Sequence, residues 1–110
     1  MTKPTVLSAD EFLASETLVM EFVPTPEIKE GSGVYVRAMT AGAKGRIEGE
    51  AAKFKETKGK GDFANTFSLL VAIECACDER GEKLFSRANL EALKLKNAAA
   101  ISRIAEAGQR

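Results

Sequence analysis

The sequence predicts a single α+β domain, mainly helical, with a β-hairpin near its N-terminus. Three observations lead there. Thr17–Val23 and Val34–Met39 alternate with the period of two that strands require, and the loop between them carries Pro24, Pro26, Gly31 and Gly33. Leu69 to Cys77 is almost wholly apolar and continues a helical pattern that begins near Phe63. At 110 residues the chain has the length of one domain with one core. The expected division is 1–15 as an N-terminal segment with a short helix, 16–39 as the hairpin, and 40–110 as a helical body with a flexible loop over 55–61.

The opening helix starts at Ser8. Ser8 and Glu11 have capping-box spacing, Leu7 can meet Phe12 as a hydrophobic staple, and the helix ends near Ser15. In the first strand Leu18, Met20 and Phe22 share one face and Val19, Glu21 and Val23 the other. In the second, Val34, Val36 and Ala38 oppose Tyr35, Arg37 and Met39. Thr40 can cap a helix reaching about Lys55, with Ala43, Ile47, Ala51 and Phe54 at helical spacing. Gly42, Gly45 and Gly49 each weaken that helix by about 1 kcal/mol relative to alanine. They mark either close helix packing along Ala41, Gly45 and Gly49 or a marginal helix held by tertiary contact. Lys53–Gly61, with four lysines and two glycines, reads as a solvated linker.

Asp62 then caps the main helix, Phe63 to about Asp78. Phe63, Phe67, Leu70 and Ile73 or Cys77 form one stripe, which Leu69, Val71, Ala72 and Ala76 widen until little polar surface is left. A helix apolar all round is either the core or an oligomer interface, and this one reads as the core. The charged run Asp78–Lys83 reverses the chain at Gly81. Ser86 caps a helix over Arg87–Lys94 with Leu90 and Leu93 inward. Asn97 caps the last helix, which runs to about Ala107 with Ala98, Ile101, Ile104 and Ala105 inward and Gly108 as its stop. Leu95 falls far from Leu90 and Leu93 around the wheel, and either wedges into the turn or stays exposed.

The chemistry-bearing residues are few. Histidine is absent, and only two cysteines are present. Cys75 and Cys77 would point about 200° apart on a helix, too divergent to bridge, and metal sites need about four ligands. Their apolar context raises a thiol pKa, so they read as small buried hydrophobes in a reducing compartment. Glu74 is the one carboxylate of the apolar helix and reads as solvent-facing. No glycine motif has phosphate-loop spacing. These residues predict no enzyme, no cofactor and no metal site.

Charge is balanced, 16 basic against 16 acidic residues, which argues against a dedicated nucleic-acid binder. No apolar run approaches the roughly 20 residues of a membrane span. Met1-Thr2-Lys3-Pro4 lacks an apolar signal core, so a cytoplasmic protein is expected. A different reading treats the last two helices as a helix-turn-helix, with Arg87, Lys94, Lys96, Arg103 and Arg110 on phosphates. Its second helix leaves only Ser102, Arg103 and Glu106 to read bases.

With these residues in place, the chain resembles the tail assembly chaperones of long-tailed bacteriophages and prophages. The resemblance begins with the opening helix Leu7-Ser8-Ala9-Asp10-Glu11-Phe12-Leu13-Ala14 and the strand-to-helix passage Val34-Tyr35-Val36-Arg37-Ala38-Met39-Thr40. It is clearest from Leu69 to Phe85, where an apolar helix ends in Cys, Asp78-Glu79-Arg80-Gly81 turns the chain, and Leu84-Phe85 precedes a Ser-started helix. Leu90-Glu91-Ala92-Leu93 and Asn97-Ala98-Ala99-Ala100-Ile101 complete it. The glycines at 42, 45 and 49 stand where the family pattern has charged, strong helix formers.

The resemblance implies a non-enzymatic role. Such proteins hold the long helical tape measure protein soluble while the tail tube polymerises around it, and are absent from the finished virion. The implied setting is the host bacterial cytoplasm. A longer form made by a translational frameshift would recruit the tail tube protein, and a chain ending at Gly108-Gln109-Arg110 corresponds to the short form. Self-association is expected, because many weak sites on several copies bind through avidity. The expected partner-binding residues are Ile47, Ala51, Phe54 and Leu95. A head–tail connector that stays in the particle is a further reading.

Overall fold

The computed structural model describes residues 4–14, 19–58 and 60–110, with the side chains of 54–64 outside the description. The described residues form α1 (Ala9–Ala14), β1 (Met20–Pro24), β2 (Gly33–Arg37), α2 (Ala41–Lys58), α3 (Lys60–Cys75), β3 (Ala76–Cys77), a 3₁₀ turn (Arg87–Asn89), α4 (Leu90–Leu93) and α5 (Ala98–Gly108). The three strands make an antiparallel sheet in the order β1-β2-β3, so the fold is a small α+β domain.

Local chemistry explains the helix starts. Both halves of the capping box form in α1, with Glu11 N–H donating to Ser8 Oγ at 3.1 Å and Ser8 N–H to Glu11 Oε1 at 3.2 Å. Thr40 Oγ1 accepts from Ala43 N–H at 3.1 Å to open α2, and Asn97 Oδ1 accepts from Ala100 N–H at 3.1 Å to open α5. The expected helix over Arg87–Lys94 is instead a 3₁₀ turn leading into a four-residue α4. There Asn89 Oδ1 accepts from Ser86 N–H at 2.8 Å.

The hairpin register pairs Glu21 with Val36 and Val23 with Val34 on one face, and Met20 with Arg37 and Phe22 with Tyr35 on the other. The first face is the inner one, since Val23 and Val36 are buried. On the outer face Phe22 and Tyr35 meet edge to face at 5.5 Å. Thr17 and Leu18, the expected start of the first strand, lie outside the described residues.

Three differences from the sequence reading have physical causes. The linker expected over 55–61 is helical up to Lys58 and again from Lys60, while residue 59 lies outside the described residues. Residues 53–61 carry no proline to stop a helix, and lysine and glutamate are good helix formers. The main helix starts at Lys60, before the expected Asp62 cap, and ends at Cys75 rather than near Asp78. Ala76 and Cys77 turn extended and pair with Val36 and Tyr35, adding a third strand. Both residues are buried, and a fully buried strand and a buried helix end leave the same apolar pattern.

The reversal after β3 is built as its sequence predicts. Asp78 Oδ1 accepts from Arg80 N–H at 2.8 Å and Glu82 N–H at 3.0 Å, and Gly81 N–H donates to the Asp78 carbonyl at 2.9 Å. Gly81 has φ 85°, and a Cβ there would meet Arg37 Nη2 at 2.5 Å.

The core centres on α3, where Leu69 through Ile73 are buried. It packs on α2 through Ile47 and Ala51, and on α5 through Ile104, Ala105 and Ala107. α5 also lies against β1 and β2. Ala98, expected inward, is exposed, and Ala100 is buried instead. Gly108 is not a left-handed stop. It is the last residue of α5, buried, and so close to α3 that a Cβ would lie 2.9 Å from both Cys75 Sγ and Val71 Cγ1. By contrast, a Cβ on Gly42, Gly45 or Gly49 would meet nothing within 4 Å. Of the two readings of those glycines, close packing is therefore excluded, and α2 is held by the tertiary contacts of Ala43, Ile47 and Ala51.

Gly45→Ala and Gly49→Ala should each raise stability by about 1 kcal/mol, whereas Gly108→Val should lower it by about 1–3 kcal/mol. Urea unfolding checks both through opposite midpoint shifts at constant m-value.

Candidate functional site: an apolar groove

The hairpin loop, the Leu84–Phe85 segment and the last two helices enclose an open hollow of about 220 Å³. Thr25 and Ile28 from the loop, Val34 from β2 and Phe85 form one side, and Leu93, Ala100, Ile101 and Ile104 form the other. Lys96 is its one charged lining residue. The floor consists of residues that also close the core, Leu93, Ala100 and Ile104, while Ile28 stands 56% exposed at the rim. A second hollow, about 290 Å³ and more polar, shares Leu93, Lys96 and Ile101 with the first and is bounded beyond them by Asn65, Ser68 and Lys94.

The loop over the groove is clamped from α5. Arg103 donates through Nη1 to the Pro24 carbonyl at 2.7 Å, and its two terminal nitrogens reach the two oxygens of Glu27 at 3.0 and 2.6 Å. Such a forked pair fixes direction as well as distance. The hydrogen bond from Arg103 holds the Glu27 carboxyl at about 2, well below the usual 4.5. Inside the loop Thr25 N–H donates to the Ser32 carbonyl at 2.8 Å, and Gly31 takes φ 78° to close the turn.

The structure separates the four expected partner-binding residues. Ile47 and Ala51 are 2% and 0% exposed, filling the α2–α3 seam, so they form core and not a docking face. The helical spacing that marked them is equally the spacing of a core stripe. The side chain of Phe54 lies outside the described residues. Leu95 is 86% exposed, in the turn that also gives Lys96 to the groove. The groove itself escaped the sequence, because residues from 25 to 104 build it; Ile28 in a polar loop was a local signal, whereas Ile101 read as part of the inward stripe of the last helix.

At the other end of α3, a smaller hollow of about 90 Å³ borders Arg37, Glu74, Cys75, Cys77 and Lys83. Glu74 is neither buried alone nor free, since Lys83 Nζ lies at 2.8 Å and Arg46 Nη2 at 3.3 Å from its Oε2. Burial pushes the Cys75 thiol up to about 12 and also raises Cys77, so neither forms a thiolate nucleophile near neutral pH. Among the described residues no three His, Cys, Asp or Glu side chains converge as a metal site, and no helix is long and apolar enough to cross a membrane. Of the five basic residues a DNA reading needs, Arg87 pairs with Glu50, Lys94 with Glu91, Arg103 with Glu27 and Arg110 with Glu21. Comparison with family models, curated proteins and solved structures yields no match for this chain.

Two measurements follow from these groups. Because the folded pKa of Glu27 is depressed, its contact with Arg103 contributes stability fully above about 4.5, and that contribution is lost as pH falls through about 2. A carbon-detected NMR titration should show that low midpoint, and Arg103→Met should return it toward 4.5. At about pH 8, near the free thiol pKa of ~8.5, iodoacetamide should leave Cys75 and Cys77 unmodified in the native chain and alkylate both in urea.

Proposed function

We propose that this chain is a non-catalytic chaperone of bacteriophage tail assembly, covering apolar surface of the tape measure protein in the host bacterial cytoplasm until the tail tube replaces it. The observation that carries this reading is the open groove, whose lining is apolar apart from Thr25 and Lys96. An amphipathic helix binds by laying side chains at helical spacing into such a trough. A hollow of about 220 Å³ takes one or two side chains rather than a whole helix face. Single-site binding is then weak and release easy, while several copies along one extended client bind through avidity.

The resemblance to tail assembly chaperones supplies the identity of the client, and the groove supplies a way of holding it. A longer, frameshifted form would add contact with the tail tube protein. The chaperone would leave before the virion is complete. The ion pairs of Arg87, Lys94, Arg103 and Arg110 weigh against the DNA-binding reading, because phosphate contact would have to break them.

Co-expression with a tape measure protein should raise the soluble fraction of that protein. The double variant Ile28→Asp/Leu95→Asp should lose most of the effect while its own thermal unfolding stays close to wild type, both side chains being exposed. No gain in solubility with the wild-type chain would sink the chaperone reading; full activity of the double variant would remove the groove from it.

A further inference from the structure

We propose that the N-terminal segment, residues 4–14, docks in the groove of a second copy of this chain. The segment is structured and largely exposed. Both halves of its capping box are formed, yet α1 has six residues and buries none of them. Helices that short do not persist in water without a surface to lie on. Val6, Leu7 and Leu13 are 88%, 51% and 80% exposed. A run of such side chains on one short segment is what an apolar trough accepts.

Charge and size select the groove as that surface. Residues 4–14 contain Asp10 and Glu11 and no basic residue. Among the described residues Lys96 is the groove's single charged lining residue, while Lys94, on the wall of the adjoining hollow, is already paired with Glu91. An apolar cavity of about 150 Å³ holds a benzene ring, so the groove, at about 220 Å³, accommodates a leucine side chain with part of a neighbour.

The connection favours a second copy. The segment precedes β1 at its Met20 end, whereas Thr25, just past the other end, lines the groove. In the structure Val6, Leu7 and Leu13 stand exposed while the groove is open, so the segment does not fill the groove of its own chain. Docking in trans leaves each groove filled until something displaces the segment. That the displacing molecule is the helical client rests on the function proposed above; the pairing of two copies does not.

Sedimentation of the purified full-length chain over a range of concentrations tests the pairing without any client. Wild type should self-associate, and Leu13→Asp in the segment or Ile28→Asp at the groove rim should each weaken association about tenfold or more. Mixing the two variants should restore a dimer, because one retains an intact groove and the other an intact segment. Leu13→Ser guards against an effect of charge alone and should act in the same direction. The proposal is overturned by a wild type that stays monomeric, by variants that associate like wild type, or by a mixture no tighter than its components. Loss of client solubilisation with these results intact would remove the chaperone reading and leave the pairing standing.

Discussion

The sheet, α2 and α5 take their positions from the burial of Leu69–Ile73 in α3. From Leu69 to Ala76 only Glu74 keeps appreciable exposure. Its cover has to come from separate parts of the chain. α2 closes one side with Ile47 and Ala51, α5 another with Ile104, Ala105 and Ala107, and the sheet reaches it through Val23 and Val36. The chain leaves α3 straight into β3, so the third strand is fixed to the helix by a peptide bond and to β2 by pairing. Sheet and helices cannot move apart without unpairing that strand. At this same end of α3 Gly108 allows α5 to touch it at a distance no side chain would permit, and its carbonyl accepts from Met39 N–H at 3.2 Å.

The polar groups divide the work differently. Charged residues sit at the periphery and tie neighbouring elements: Arg103 and Arg110 bind α5 to the hairpin, Arg87 to Glu50 binds the 3₁₀ turn to α2, and Lys83 with Arg46 brackets Glu74. Exposed pairs of this kind contribute little stability individually. Their effect is geometric. The forked Arg103–Glu27 contact sets where the loop with Ile28 sits, and so the width of the groove. The groove arises where the loop and α5 stop short of full contact, leaving one flank of Ile101 and Ile104 open. Apart from Thr25 and Lys96 its described lining is apolar, so shape and apolar area are most of what its side chains offer.

The open apolar surfaces lie outside the core and are not random. Antiparallel sheets commonly turn one polar face to water, but here Met20, Phe22 and Tyr35 occupy the outer face, with Val19 just before them. Together with residues 4–14 and the groove, they leave several apolar side chains exposed on the described surface.

Much of this was legible in the order of residues. Capping chemistry placed the starts of α1, α2 and α5, period-two alternation placed the hairpin, and the apolar run at Leu69–Ile73 placed the core, because each of these signals is local and involves residues within about one or two turns. Three things were not. Ala76 and Cys77 become a strand only because β2 lies beside them, and Gly108 is a contact point only because α3 approaches it. Ile47 and Ala51 are core instead of docking face because α3 covers them. The sequence alone determined which residues seek burial and where the backbone turns. Which apolar residues remain uncovered, and hence where a partner can bind, was decided by the tertiary structure, since burial is a property of what packs alongside and not of the side chain itself.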